Sequence, residues 1–338
     1  MKDSNKKLSY SAILGILAGV LLAAMIGSVI LGRYPISLKE LTGMIGSKFT
    51  YIEPFWNKTQ ESLFWNHRLP RIILACMVGC CLASAGSAYQ GVFQNPMSAP
   101  DILGASSGAA FGASLAIVLE LGSTMIVVCA FASSILTVAL VIYVGNHAKG
   151  NRVLGLILSG IMISSLVSSG TSFIKLMADP NEQLPQITYW LMGSLNGTRA
   201  DDAKFAVIPM VIGLVPLFLL RWRINLLTLG DEEASTMGIN VKRLRNIVIF
   251  SATLVTAASV SVSGMIGWVG LVIPHIARRL VGNNYKHLMP ASMLLGAIFL
   301  LLVDDISRNL FATEIPIGVL TSVIGAPFFS YLITKEEI

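Results

Sequence analysis

The sequence predicts an all-α membrane protein that crosses the bilayer about ten times, and three observations carry that reading. Of its 338 residues, 54% are hydrophobic and only 12% charged, about half the charge of a soluble domain. A surface so poor in charge is favourable against lipid, where each helix satisfies its own backbone polar groups. Several apolar stretches reach the roughly 20 residues that a spanning helix needs: 12–32, 123–144, 153–177, 288–303 with its flanks, and 315–333. The net charge of +6 is spread over short loops between spans. It therefore reads as basic loops on one membrane face, not as a nucleic-acid footprint.

Taken in order, Lys6 and Lys7 precede the first apolar run. That run is long for a signal sequence, and Gly32-Arg33-Tyr34-Pro35 offers no small-x-small cleavage site, so it is read as a retained span. The polar stretch 33–68 holds Tyr51, Trp56 and Trp65, residues suited to a membrane interface. A second polar stretch, 178–204, is broken by Pro180 and Pro185. A third, 221–245, carries Arg221, Arg223, Lys242, Arg243 and Arg245. Residues 246–273 are apolar for longer than one crossing requires, and Gly264, Gly267 and Gly270 permit a reversal there. Reading two spans, the second ending near Arg278-Arg279, gives ten and puts both termini on the same side. The loops 1–7, 145–152, 221–245, 278–286 and 335–338 then hold 14 of the 24 Lys and Arg residues, and that side is cytoplasmic. The whole of 1–338 reads as a single transmembrane domain.

Enzymatic readings find little support. There is no G-x-x-x-x-G-K-[ST] phosphate loop, no G-x-S-x-G and no H-E-x-x-H. Cys76, Cys80, Cys81 and Cys129 lie in apolar runs without His partners, so they read as small hydrophobes. No metal site and no cofactor of the chain's own is expected.

The informative residues are polar ones in or beside the spans. Arg68-Leu69-Pro70-Arg71 opens the second span, with Pro in the first turn where its missing N–H costs little. Gln90, Asn95 and the small-residue run 104–109 read either as tight packing at a broken helix or as substrate contacts. Ser164, Ser168 and Thr171 share a helix face and read either as helix–helix contacts or as lining of a path. Asp304 and Asp305 stand four and three residues before Arg308, which suits a local ion pair as well as a proton relay. In Leu229-Gly230-Asp231-Glu232-Glu233-Ala234-Ser235-Thr236-Met237-Gly238 the acids suit a helix start and Gly238 its end. Ala234 and Met237 are expected to share an apolar face, either to dock a cytoplasmic partner or to lie on the bilayer.

The chain resembles the permease family of importers for iron siderophores, haem and cobalamin. The matching stretches are the R-L-P-R at 68–71, Gln90-Gly91 with Asn95-Pro96, and Leu103-Gly104 with Ser107-Gly108. Further along come Leu229-Gly230 with Met237-Gly238-Ile239, and Gly264-x-Ile266-Gly267-x-x-Gly270-Leu271 with Pro274-His275. The last are Ile315-Pro316-Ile317-Gly318 and Gly325-Ala326-Pro327. Each alone is weak; in this order they cover nearly the whole chain. Ile315, Trp268 and Asp305 depart from the usual residues.

The resemblance implies the type II ABC importer permease fold, two such subunits (a homodimer) around a central path, and no catalysis by this chain. It implies two ABC ATPase subunits that hold the ATP and Mg2+, and an extracytoplasmic substrate-binding protein. Residues Gly230, Asp231, Glu232, Glu233, Ala234, Met237 and Gly238, within cytoplasmic helices about 225–242, would touch the ATPase. Arg68, Arg71 and Arg308 would face outward to acids of the binding protein, and the cargo would be an iron chelate, a ferric siderophore first, with haem or cobalamin as the alternatives. The alternative from another class is a gradient-driven secondary transporter, for which Asp304 and Asp305 are the candidate acids.

Overall fold

In the computed structural model the described residues are 9–32, 34–150, 152–197 and 200–335; the tails holding Lys6, Lys7 and Glu337 fall outside them. All regular structure among the described residues is helical: α1 Tyr10–Ile30, α2 Leu38–Gly46, α3 Lys58–Leu63, α4 Leu69–Val92, α5 Ala105–Val118, α6 Ser123–His147, α7 Arg152–Met177, α8 Gln183–Leu191, α9 Ala200–Leu219, α10 Arg221–Leu227, α11 Asp231–Thr236, α12 Val241–Ser263, α13 Val269–Val281, α14 Tyr285–Asn309 and α15 Ile317–Lys335. A π-helical turn, Phe64–Arg68, joins α3 to α4 without a break.

Among the described residues six segments are long and apolar enough to cross a bilayer: α1, α3–α4, α6, α7, α12 and α14. A seventh is α9 with α10, bent by 65° between them, and Ala105–Val118 and Ile317–Tyr331 are shorter apolar helices. The sequence predicts ten spans; six to seven of the described helices have the length and apolarity of a full crossing, and α5, α13 and α15 are shorter. The reversal falls at the glycine cluster: α12 stops at Ser263, Gly264 takes φ +65°, and α13 starts at Val269.

The centre of the bundle is α4 and α12, buried over 78% and 72% of their most apolar windows, whereas α1 and α7 are only 11% and 22% buried and present apolar sides outward. α4 and α14 run antiparallel in close contact. They approach at Gly79 and Gly296, where a Cβ on either would collide with the other's carbonyl oxygen. Lipid supplies no hydrophobic force between helices, so small residues that let backbones meet carry this packing. Hydroxyls inside α12 are turned back on its own backbone: Thr256 Oγ1 donates to the Ala252 carbonyl at 2.8 Å and Ser259 Oγ to that of Val255 at 2.7 Å.

The two ends of α14, 25 residues and roughly 37 Å apart at 1.5 Å per residue, mark the two ends of the bundle. Arg71 meets Asp304 at one. At the other, Asn225 Oδ1 accepts the Tyr285 N–H, which ties α10 and the basic loop to the start of α14.

Candidate functional site

The glycine cluster builds a cavity. The Ser194 N–H donates to the Ser263 carbonyl at 2.7 Å, that of Ile317 to the Gly193 carbonyl at 2.8 Å, and that of Gly318 to the Met192 carbonyl at 3.1 Å. The ends of α8 and α12 and the start of α15 are thereby knotted together. A Cβ on Gly318 would overlap the carbonyl oxygens of Met192 and Met265, so this approach requires glycine. Beside the knot lies a cavity of about 690 Å3, walled by the 99–101 turn, the 265–268 linker and the first turns of α15. Its lining is largely apolar, with Met192, Met265, Trp268 and Val319 among it; Asp101, Ser106, Thr256 and Ser322 are its polar members, and no Lys or Arg is among them. Asp101 Oδ1 accepts the Ser106 N–H at 2.8 Å, satisfying a free amide in the first turn of α5. Trp268 holds φ +68°, a strained state for a bulky residue, against Gly325 and 6.1 Å from the Phe329 ring. The motifs 103–108, 264–271 and 315–318, far apart in sequence, meet around this one space.

The polar path candidates lie elsewhere. Gln90 is buried beside the cavity, its Nε2 donating to the Gly270 carbonyl at 3.5 Å and its Oε1 left without a partner. Asn95 sits in the turn after α4 and caps it locally, its Oδ1 accepting the Met97 N–H at 2.8 Å. Ser164 packs under Gly104. Thr171 is buried and returns its hydroxyl to the Val167 carbonyl at 3.2 Å, while Ser168 is exposed on the outward side of α7. Their shared face is therefore split between packing and surface. Asp101, Ser322 and Met265 of the cavity carry no local sequence signal beyond proximity to the motifs.

At the Asp304 end of α14, five charges form one network, with Arg68 beside it. Arg71 donates from Nε and Nη2 to Asp304, the closest approach 2.8 Å, and presents Nη1 and Nη2 to the two oxygens of Glu314 at 3.0 and 2.9 Å. Arg308 pairs with Asp305, lies 3.8 Å from Asp304, and donates to the Ser28 carbonyl at 2.8 Å. Arg68, buried, donates to the carbonyls of Val29, at 2.6 Å, and of Tyr34. The local ion pair that the sequence suggested among Asp304, Asp305 and Arg308 is present, with Arg308 closer to Asp305, while Asp304 also takes Arg71 because α4 packs against that side of α14. Nor do the arginines project outward as free charges: Arg71 and Arg308 pair with acids, Arg68 is held by backbone carbonyls, and the guanidiniums line a cavity of about 240 Å3 with Tyr34, His67 and Glu314. Glu314 is the member that sequence reading missed; its signal is an acid directly before Ile315-Pro316-Ile317-Gly318.

At the other end, α11 is pinned by Asp231, whose carboxylate takes both terminal nitrogens of the buried Arg245. Ala234 is fully buried and Met237 is 58% exposed. They therefore do not share a face, as a one-turn helix anchored through Asp231 must turn Ala234 onto the bundle. Glu232, Glu233 and Gly238 are exposed, and Gly230 and Gly238 take φ of +112° and +76°. A groove of about 590 Å3 beside α11 is lined by Trp222, Met237 and Ile239 with Arg223 and Arg243 at its edges.

This layout has a counterpart among known proteins. The FecCD transport family matches residues 12–335. The chain belongs to that family. This FecCD protein is 39% identical over 331 residues to the molybdate import system permease protein of Haemophilus influenzae, covering 97% of this chain and 96% of the relative. It is 42% identical over 270 residues to a Helicobacter pylori permease named for iron chelatin transport, with 80% and 82% covered. Its fold matches a solved ABC transporter described as of metal-chelate type and inward-facing, with TM-score 0.87 and 38% identity over 96% of this chain and all of that one. The FecCD chain is thus a multi-pass inner-membrane permease subunit of an ABC transporter and not an enzyme.

Proposed function

We propose that this permease imports a metal chelate, a ferric siderophore first among them, received from a substrate-binding protein. The observation that carries the reading is the cavity: about 690 Å3, largely apolar, with a carboxylate and no cationic side chain among its lining residues. An organic chelate shell suits such walls, whereas a bare oxyanion such as molybdate would meet Asp101 with no compensating charge. Two copies of the chain form the path. The basic loop faces the cytoplasm and both termini lie on that side, in keeping with the Lys and Arg bias of the short loops. The ATP and Mg2+ sit on two partner ATPases that grip the groove beside α11, with Met237 and the exposed acids of α11 at the contact. A binding protein docks on the Arg68–Arg71–Arg308 end. A gradient-driven mechanism loses support because Asp304 is engaged by Arg71.

The test is uptake into proteoliposomes that hold the permease, its ATPase and its binding protein. Radiolabelled iron as a ferric hydroxamate enters only with internal ATP, and an ionophore leaves uptake intact. Val319→Trp, which fills the cavity, abolishes uptake while assembly persists. Faster molybdate than chelate uptake, or loss on ionophore addition, overturns the reading.

A further inference from the structure

The Arg71 fork is held by two acids in different situations. Asp304 is completely buried and approaches the Nε side, while Glu314 is 20% exposed and closes the outer edge with two parallel hydrogen bonds. Asp304 is fixed in the last turns of a packed helix. Glu314 stands in the 310–316 connection between α14 and α15, at the mouth of the 240 Å3 cavity that Arg68 and Arg308 also line.

We infer that Glu314 is an exchangeable ligand of Arg71: it closes the guanidinium fork in the free permease and yields to a carboxylate of the docked binding protein. The inference rests on the docking reading above. One carboxylate replaces another, so the bidentate geometry and the local charge are conserved, and Arg71 is never left uncompensated beside buried groups. Buried Asp304 holds the guanidinium in place during the exchange. Glu314 thus sets docking affinity from within the permease, as an internal competitor. A binding site occupied by such a competitor has its affinity for the partner scaled down to the fraction of time that the site is free.

The experiment measures binding-protein association with the assembled permease–ATPase complex in nanodiscs, by surface plasmon resonance at low salt. The variants are Glu314→Gln, Glu314→Asp and Arg71→Lys. Glu314→Gln removes the competitor's charge and is expected to tighten docking about three- to tenfold. Glu314→Asp keeps the charge but is too short to close the fork, and tightens docking less. Arg71→Lys loses the bidentate geometry and weakens docking. Monodispersity and retained ATPase establish assembly, and Glu314→Asp decides the matter where Glu314→Gln does not assemble. Docking unchanged or weaker in the Glu314 variants, with Arg71→Lys still weaker, overturns the exchange and leaves the docking reading standing. No change in any of the three removes the docking reading and the exchange together.

Discussion

An arginine–aspartate pair organises each end of the bundle, but the two pairs are built in opposite senses. In Arg71–Asp304 the acid is completely buried and the arginine retains an exposed edge. In Arg245–Asp231 the arginine is 1% exposed and the acid 55%. The buried member fixes the position; the exposed one is what the end offers to its surroundings. One end therefore presents cations held by internal acids, and the other presents an acidic helix turn held by an internal cation. The difference also sets how much each pair matters to stability. Removing the exposed partner strands a buried charge, whereas removing the buried partner leaves a charge that water can solvate.

The largest expected effect follows from that asymmetry. Arg71→Ala leaves Asp304 buried with only Arg308 nearby, 3.8 Å away, and is expected to lower stability by about 3–5 kcal/mol, read as thermal unfolding in detergent. Adding Asp304→Asn should recover a large part of the loss; no recovery would mean that the arginine's packing, not its charge, matters. Next comes Ala234→Arg. A long cation at a fully buried site cannot fit without displacing α11, so a loss of about 1–3 kcal/mol accompanies loss of ATPase co-purification. Stability unchanged in that variant would show that α11 faces the other way. Arg245→Met keeps the buried stem and frees a solvated Asp231, with an expected cost of about 1 kcal/mol; a cost equal to that of Arg71→Ala would abolish the contrast between the two ends. The smallest change is Met237→Ala on the exposed side: stability within about 0.5 kcal/mol of the parent, but weaker ATPase co-purification. Equal co-purification would remove Met237 from the proposed contact.

The sequence made the bundle legible where lipid imposes a rule. Apolar length gave α1, α6, α7 and α14, and the glycines at 264, 267 and 270 marked the reversal between α12 and α13, because few other residues reverse a chain so sharply. The one-turn helix was readable from Asp231 to Gly238, since charge at a helix start and glycine at its end are local effects. Its facing was not. Ala234 is buried because Arg245, fourteen residues on, draws Asp231 toward the bundle, and no local spacing encodes that pull. The polar path candidates failed for a related reason: a hydroxyl in an apolar helix can return its proton to its own backbone, as Thr171 does, and sequence does not separate that use from a lining role.

What the sequence determined by itself is set by the solvent: the all-helical class, the membrane-length apolar spans, the absence of a phosphate loop, and the basic stretch 221–245. These follow from composition and from interactions a few residues long. What only the tertiary structure decided is which distant groups meet. Asp304 meets Arg71 because α4 lies against α14 at Gly79 and Gly296. Glu314 joined that pair because the chain turns back between α14 and α15. The cavity exists because the ends of α8 and α12 and the start of α15 exchange backbone hydrogen bonds. Charges and carbonyls far apart in the sequence become neighbours only through packing, so their pairing is a property of the fold.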